Sequence, residues 1–133
     1  MAYLLDTNIC IYLMKGGHTQ LEERLKACKP EEVYLSSIVV SELRYGAQNS
    51  QNPDRNHKTL DSFLSGFEVL AYDNTEADAY GKIRSQLRKA GTPIGPVDTF
   101  IAAHAVANSL VLVTNNIKHF QLVEGLSAEN WLG

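Results

Sequence analysis

The chain has 133 residues, with 12 Lys and Arg against 15 Asp and Glu, for a formal net charge of −3. Its 44% apolar and 20% charged residues exclude wholesale disorder. The acidic total excludes a nucleic-acid binder that is basic all over, and no apolar run approaches the roughly 20 residues of a membrane helix. The first residues lack the basic start and long apolar stretch of a signal peptide, and two cysteines are too few for a disulfide scaffold. A soluble, cytoplasmic, single domain over residues 1–133 is expected, with no membrane contact. Charge is unevenly placed. Residues 1–78 carry 7 basic and 12 acidic groups, whereas residues 79–133 carry 5 and 3.

Tyr3-Leu4-Leu5 is a short apolar run that stops at Asp6-Thr7-Asn8, polar residues suited to a strand end and a helix cap. Ile9 to Met14 reads as a first helix closed by Lys15-Gly16-Gly17, and Leu21, Leu25 and Cys28 have helical spacing up to Pro30. Val33-Tyr34-Leu35 is a second strand, with Ser36-Ser37 capping a helix from Ile38 to about Ala47. Pro53 opens another helix to Leu64. Val69-Leu70 forms a third strand, and Thr75 to Ala90 a long helix with Ala79, Ile83, Leu87 and Ala90 on one face. After the Gly/Pro-punctuated loop Gly91–Pro96 come a helix from Val97 to Asn108, a buried strand Leu110–Val113, and a last strand Leu126–Trp131. Short apolar strands alternating with helices predict an α/β sandwich around a parallel sheet, in which ligands bind beyond the carboxyl ends of the strands.

Three carboxylates fall among core-type residues. Asp6 follows the first strand. Glu42 lies four residues after Ile38 and three before Tyr45, which predicts a shared face. Asp98 precedes Ile101, Ala102 and Ala105 at helical spacing. Unpaired buried carboxylates are costly. Like charges about 4 Å apart repel by roughly 4 kcal/mol at an effective dielectric near 20, and raised pKa values or a bound cation relieve that repulsion. Hard oxygen ligands with open water positions suit Mg²⁺ or Mn²⁺ better than Zn²⁺. Such an ion activates water and clamps a phosphate for in-line attack. On chemistry alone Asp6 serves equally well as a helix cap, and Asp98 as a partner of a helix dipole. Glu42, mid-helix, lacks such an alternative.

Asn115 and Asn116 follow the buried strand, where an Asn serves equally as a metal or water contact and as a turn or cap. Lys82, Arg84, Arg88 and Lys89 lie off the apolar stripe of the long helix, available to phosphates or simply solvated. The four histidines have no metal-ligand spacing with one another or with the cysteines.

In order, Leu4-Leu5-Asp6-Thr7-Asn8, Ser36-Ser37-Ile38 with Glu42-Leu43 and Tyr45-Gly46, Gly91–Pro96 running to Asp98 with Ile101-Ala102, and Thr114-Asn115-Asn116 with Phe120 resemble PIN-domain ribonucleases. The resemblance covers essentially the whole chain and is narrowest to the VapC toxins of bacterial VapBC toxin–antitoxin modules. It implies a PIN-like α/β/α sandwich around a five-stranded parallel sheet, and an acidic pocket binding Mg²⁺ or Mn²⁺. It further implies hydrolysis of RNA to 5′-phosphate and 3′-hydroxyl ends. Asp6 and Asp98 match the principal metal-binding acids, Glu42 the acid on the third helix, and Asn116 a polar position of the last motif. Also implied are a homodimer, neutralisation by a VapB-type antitoxin, and operator DNA bound only through that antitoxin. The Asp-Thr-Asn and Gly-Thr-Pro-Ile-Gly-Pro segments are similar to a branch that cuts initiator tRNA in its anticodon stem-loop. The chain departs from the family where a fourth acid often stands: Asn115, Asn116 and His119 occupy that region, so one firmly held ion is expected. A catalytically weak PIN-fold binding module is the alternative. A phosphoacceptor receiver domain is more remote, since Asp6 has no acidic neighbour and Lys118 follows two asparagines.

Overall fold

The computed structural model describes residues 1–133. Strand β1 (Tyr3–Leu5) leads into helices α1 (Thr7–Lys15) and α2 (Thr19–Lys26). Strand β2 (Val33–Ser36) feeds α3 (Ser37–Gln48) and α4 (Pro53–Leu64), and β3 (Glu68–Leu70) feeds α5 (Asn74–Lys89) and α6 (Pro96–Ala107). Strand β4 (Val111–Val113), the one-turn α7 (Ile117–Phe120) and β5 (Ala128–Glu129) complete the chain.

The strands form one sheet in the order β3-β2-β1-β4-β5, and every pairing is parallel. This is the expected α/β/α arrangement about a five-stranded parallel sheet. Its central strands are apolar on both faces because helices cover both: Leu4, Leu5, Leu112 and Val113 are each 0% exposed. Burying each of these side chains contributes roughly 1.5–3 kcal/mol.

Local chemistry sets the helix starts. Asn52 accepts from the Arg55 amide at 3.2 Å, and Pro53 opens α4. Glu76 returns to the Asp73 amide at 2.7 Å in a capping box at the head of α5. Pro96 begins α6 behind Gly95, whose φ of 92° suits a residue without Cβ.

Two expectations need correction, and one element was not expected. The last strand is only Ala128–Glu129, not Leu126–Trp131, because pairing with β4 ends there. The segment after the asparagines forms α7, too short to show a helical period. Ala90 lies past the end of α5 and is exposed, so the buried stripe of that helix is Glu76, Ile83 and Leu87. No helix is long and apolar enough to cross a membrane.

Chain order makes β1 the pivot of the sheet. The chain runs outward on one side through β2 and β3, then returns to the other side of β1 as β4 and β5. The carboxyl ends of β1 and β4 therefore flank the switch point where open α/β sheets place their ligands.

Candidate active site

Asp6 stands at that switch point. Its backbone amide donates to the Val113 carbonyl at 3.0 Å, extending the β1–β4 ladder one residue past β1. Its side chain caps α1, with Oδ1 accepting from the Ile9 amide at 2.9 Å. The residue is only 6% exposed and forms no ion pair. Burial raises its pKa above the ordinary carboxylate value; the Thr114 hydroxyl beside it and the Ile9 amide pull the other way, and the charge of Asp98 raises it further. The cap and ligand readings of Asp6 are thus not exclusive, since the cap bond to Ile9 uses Oδ1 alone.

Asp98 lies in the first turn of α6. Its side chain is 33% exposed and meets the ring of His119, with Nδ1 3.2 Å from Oδ2. The helical spacing of Asp98 with Ile101, Ala102 and Ala105 holds, although only the three apolar residues are fully buried.

Glu42 behaves differently. The buried face of α3 is Val39, Leu43 and Ala47, one residue out of phase with Ile38, Glu42 and Tyr45. Ile38 and Glu42 are half-buried and Tyr45 is 67% exposed, so this stripe borders the buried face without belonging to it. Glu42 lines a groove of about 540 Å³ between α1, α3 and α4, with Met14, Lys15, Arg55 and Leu60 among its neighbours. No three His, Cys, Asp or Glu side chains are grouped to hold a metal ion, so Asp6, Glu42 and Asp98 do not close into one ligand set. Position explains the difference: Asp6 and Asp98 stand at helix starts, whereas Glu42 is five residues beyond Ser37, roughly 7 Å along its helix at 1.5 Å per residue.

Thr114 emerges as a site residue that sequence reasoning did not single out. It is 0% exposed at the end of β4, beside Asp6, and its Oγ1 accepts from the Asn116 amide at 3.0 Å. Asn116 is exposed and its side chain makes no capping bond; its carbonyl instead accepts from the His119 and Phe120 amides. Asn115 donates from Nδ2 to the Tyr12 hydroxyl at 3.1 Å, and Tyr12 lies against the His18 ring at 4.7 Å between centroids.

The four basic residues of α5 are all exposed but do not share one face. Arg84 and Arg88 border a cavity of about 260 Å³ with Pro93, Gly95, Pro96 and Thr99, next to the start of α6. Lys82 and Lys89 open instead toward Gln86 and Glu124. At 100° per residue, positions 82 and 89 coincide while 84 and 88 point elsewhere.

The donor set fits a hard divalent cation. The charge of Asp98 is near enough to raise the Asp6 pKa, neither acid has a Lys or Arg partner, and the one buried side-chain oxygen lacking any partner, Thr7 Oγ1, belongs to the residue after Asp6. Mg²⁺ is commonly held by one or two carboxylates and keeps several waters, so it needs no closed protein cage.

A PIN domain family model matches residues 3–126. The tRNA(fMet)-specific endonuclease VapC of Shigella flexneri is 40% identical over 131 residues, 98% of each chain. Ribonuclease VapC2 of Rickettsia felis is 39% identical over 132 residues, again 98% of each. The crystal structure of VapBC2 from Rickettsia felis bound to a DNA fragment from their promoter superposes with a TM-score of 0.92 at 38% identity, covering 98% of this chain and 99% of that one. The chain belongs to the PIN-domain family and, within it, to the VapC ribonucleases.

Proposed function

We propose that this ribonuclease is the toxin of a toxin–antitoxin pair and cuts RNA in a centre where Asp6 and Asp98 hold Mg²⁺ or Mn²⁺. The observation that carries the reading is Asp6: a buried carboxylate at the switch point of the sheet, with no cationic partner and within electrostatic reach of Asp98. A bound divalent ion supplies a water of lowered pKa and charge for the phosphate. The protein's own part is positional. Asp6 is fixed through its backbone to β4 and through Oδ1 to α1, so its carboxylate needs no reorganisation when the ion arrives. Arg84 and Arg88 offer guanidinium groups to the RNA backbone as it approaches the start of α6. Asn116, exposed beside Thr114, is placed to contact the RNA or its water. Glu42 lines a groove between α1, α3 and α4 whose walls include neither Asp6 nor Asp98, so its part in catalysis runs through water or substrate. Hydrolysis adds a water oxygen to phosphorus and breaks the bond to the 3′ oxygen, which leaves as a hydroxyl while the 5′ end keeps the phosphate.

The Shigella relative's name supports initiator tRNA as substrate, and the Rickettsia complex with promoter DNA supports a VapB-type antitoxin partner and operator DNA; cleavage in the anticodon stem-loop and DNA contact only through the antitoxin are part of the same proposal. A homodimer fits the same reading. The test is incubation of antitoxin-free protein with total tRNA and Mg²⁺ or Mn²⁺. The wild type is expected to cut at defined positions and Asp98→Asn to leave tRNA intact; cleavage that survives Asp98→Asn rejects the mechanism.

A further inference from the structure

His119 forms the sole side-chain hydrogen bond of Asp98. An ionised carboxylate only accepts, so Nδ1 must carry the proton in this pair. The imidazole comes from α7, whose first turn is tied down twice: the Asn116 amide bonds Thr114 Oγ1 at 3.0 Å, and Phe120 is buried at 1% exposure. Thr114 itself lies beside Asp6. One short segment, Thr114 to His119, therefore touches both acids, one at each end.

We propose that His119 is a positioning residue for the metal centre: by donating Nδ1–H to Oδ2 it fixes the Asp98 carboxylate and leaves Oδ1 for the ion shared with Asp6. The inference rests on Asp6 and Asp98 being the ligands. Asp98 has no Lys or Arg partner and is a third exposed, so without His119 its carboxylate is free to turn away. An imidazole supplies the restraint without a third negative charge. Two carboxylates and one divalent ion then balance in charge, in keeping with the one firmly held ion expected from the sequence.

The experiment is calorimetric titration of the purified full chain with MnCl₂ alone, comparing wild type, Asp98→Asn, His119→Ala and His119→Asn. Asparagine places an amide N–H near where the imidazole Nδ1 stood. We expect the wild type to bind and Asp98→Asn to lose binding. Affinity is expected to fall about tenfold or more in His119→Ala, the range seen when a ligand's supporting hydrogen bond is removed, and to recover to within about threefold in His119→Asn. Because His119 is 45% exposed, metal-free melting temperatures should agree among the His119 variants. Wild-type affinity in His119→Ala overturns the proposal, as does tighter binding, which would make the imidazole a competitor of the ion. Equal weakness of both His119 variants also overturns it. Undiminished binding by Asp98→Asn instead overturns the ligand assignment, an outcome separate from any fate of His119.

Discussion

The Asp6 amide donates to the Val113 carbonyl at 3.0 Å, and this one bond places an acid between β1 and β4, where the order of strand addition reverses. Fixed in this way, Asp6 is buried by the fold itself, at 6% exposure. Its raised pKa means the folded protein holds that proton more tightly than the unfolded chain does. The stability Asp6 contributes is full below the unfolded value of 3.8 and is lost as pH rises through the higher folded value. In EDTA near pH 8, Asp6→Asn should therefore melt a few degrees above wild type, keep its helix cap, and show no cleavage. The difference should vanish near pH 4. Thermal scans at both pH values check this.

Thr114 should be needed for stability as well as activity. Removing its hydroxyl leaves the Asn116 amide without its partner and takes a donor from beside Asp6. Thr114→Val should cost about 1–3 kcal/mol in urea unfolding and lower the cleavage rate, while Thr114→Ser should retain most of both.

His104 is expected to make the fold sensitive to acid. It is 1% exposed on α6, with Nδ1 2.7 Å from Ser36 Oγ at the end of β2. Burial lowers its pKa below 6.5, against an opposing pull from Glu76. A depressed folded pKa contributes stability that is complete above the unfolded value and drains away as pH falls through the folded one. The urea midpoint should fall between pH 7 and pH 5, and His104→Gln should flatten that dependence.

The split among the basic residues of α5 predicts unequal roles. Arg84→Ala with Arg88→Ala should weaken RNA binding and reduce the slope of log affinity against log salt by roughly 1, at about 0.7 per single-strand phosphate contact. Lys82→Ala with Lys89→Ala should change the slope little. Filter binding of tRNA across a salt series separates the two pairs.

Much of this architecture was legible in the residues themselves. Apolar runs ended by polar caps located β1, β2 and β4, and Pro53 marked the start of α4. Asp6 and Asp98 were legible because each opens a helix, and helix starts line up at one edge of a parallel sheet. The depth of Glu42 was not legible, because helical spacing to Ile38 and Tyr45 defines a stripe but not which stripe is buried; the sheet selects Val39, Leu43 and Ala47. Thr114 and His119 act through partners on other elements, contacts that spacing along the chain cannot reveal. Lys82 and Arg84 are close in sequence, yet the groove to which each belongs is set by the loop before α6 and the segment around Glu124.

The central claim is that Asp6 and Asp98 jointly bind one divalent ion. Crystals of the antitoxin-free protein grown with Mn²⁺ and measured at the manganese absorption edge test it directly. The account predicts a single anomalous peak bonded to carboxylate oxygens of both Asp6 and Asp98, with Glu42 outside its inner coordination. A peak bound elsewhere, or none at saturating Mn²⁺, would contradict it.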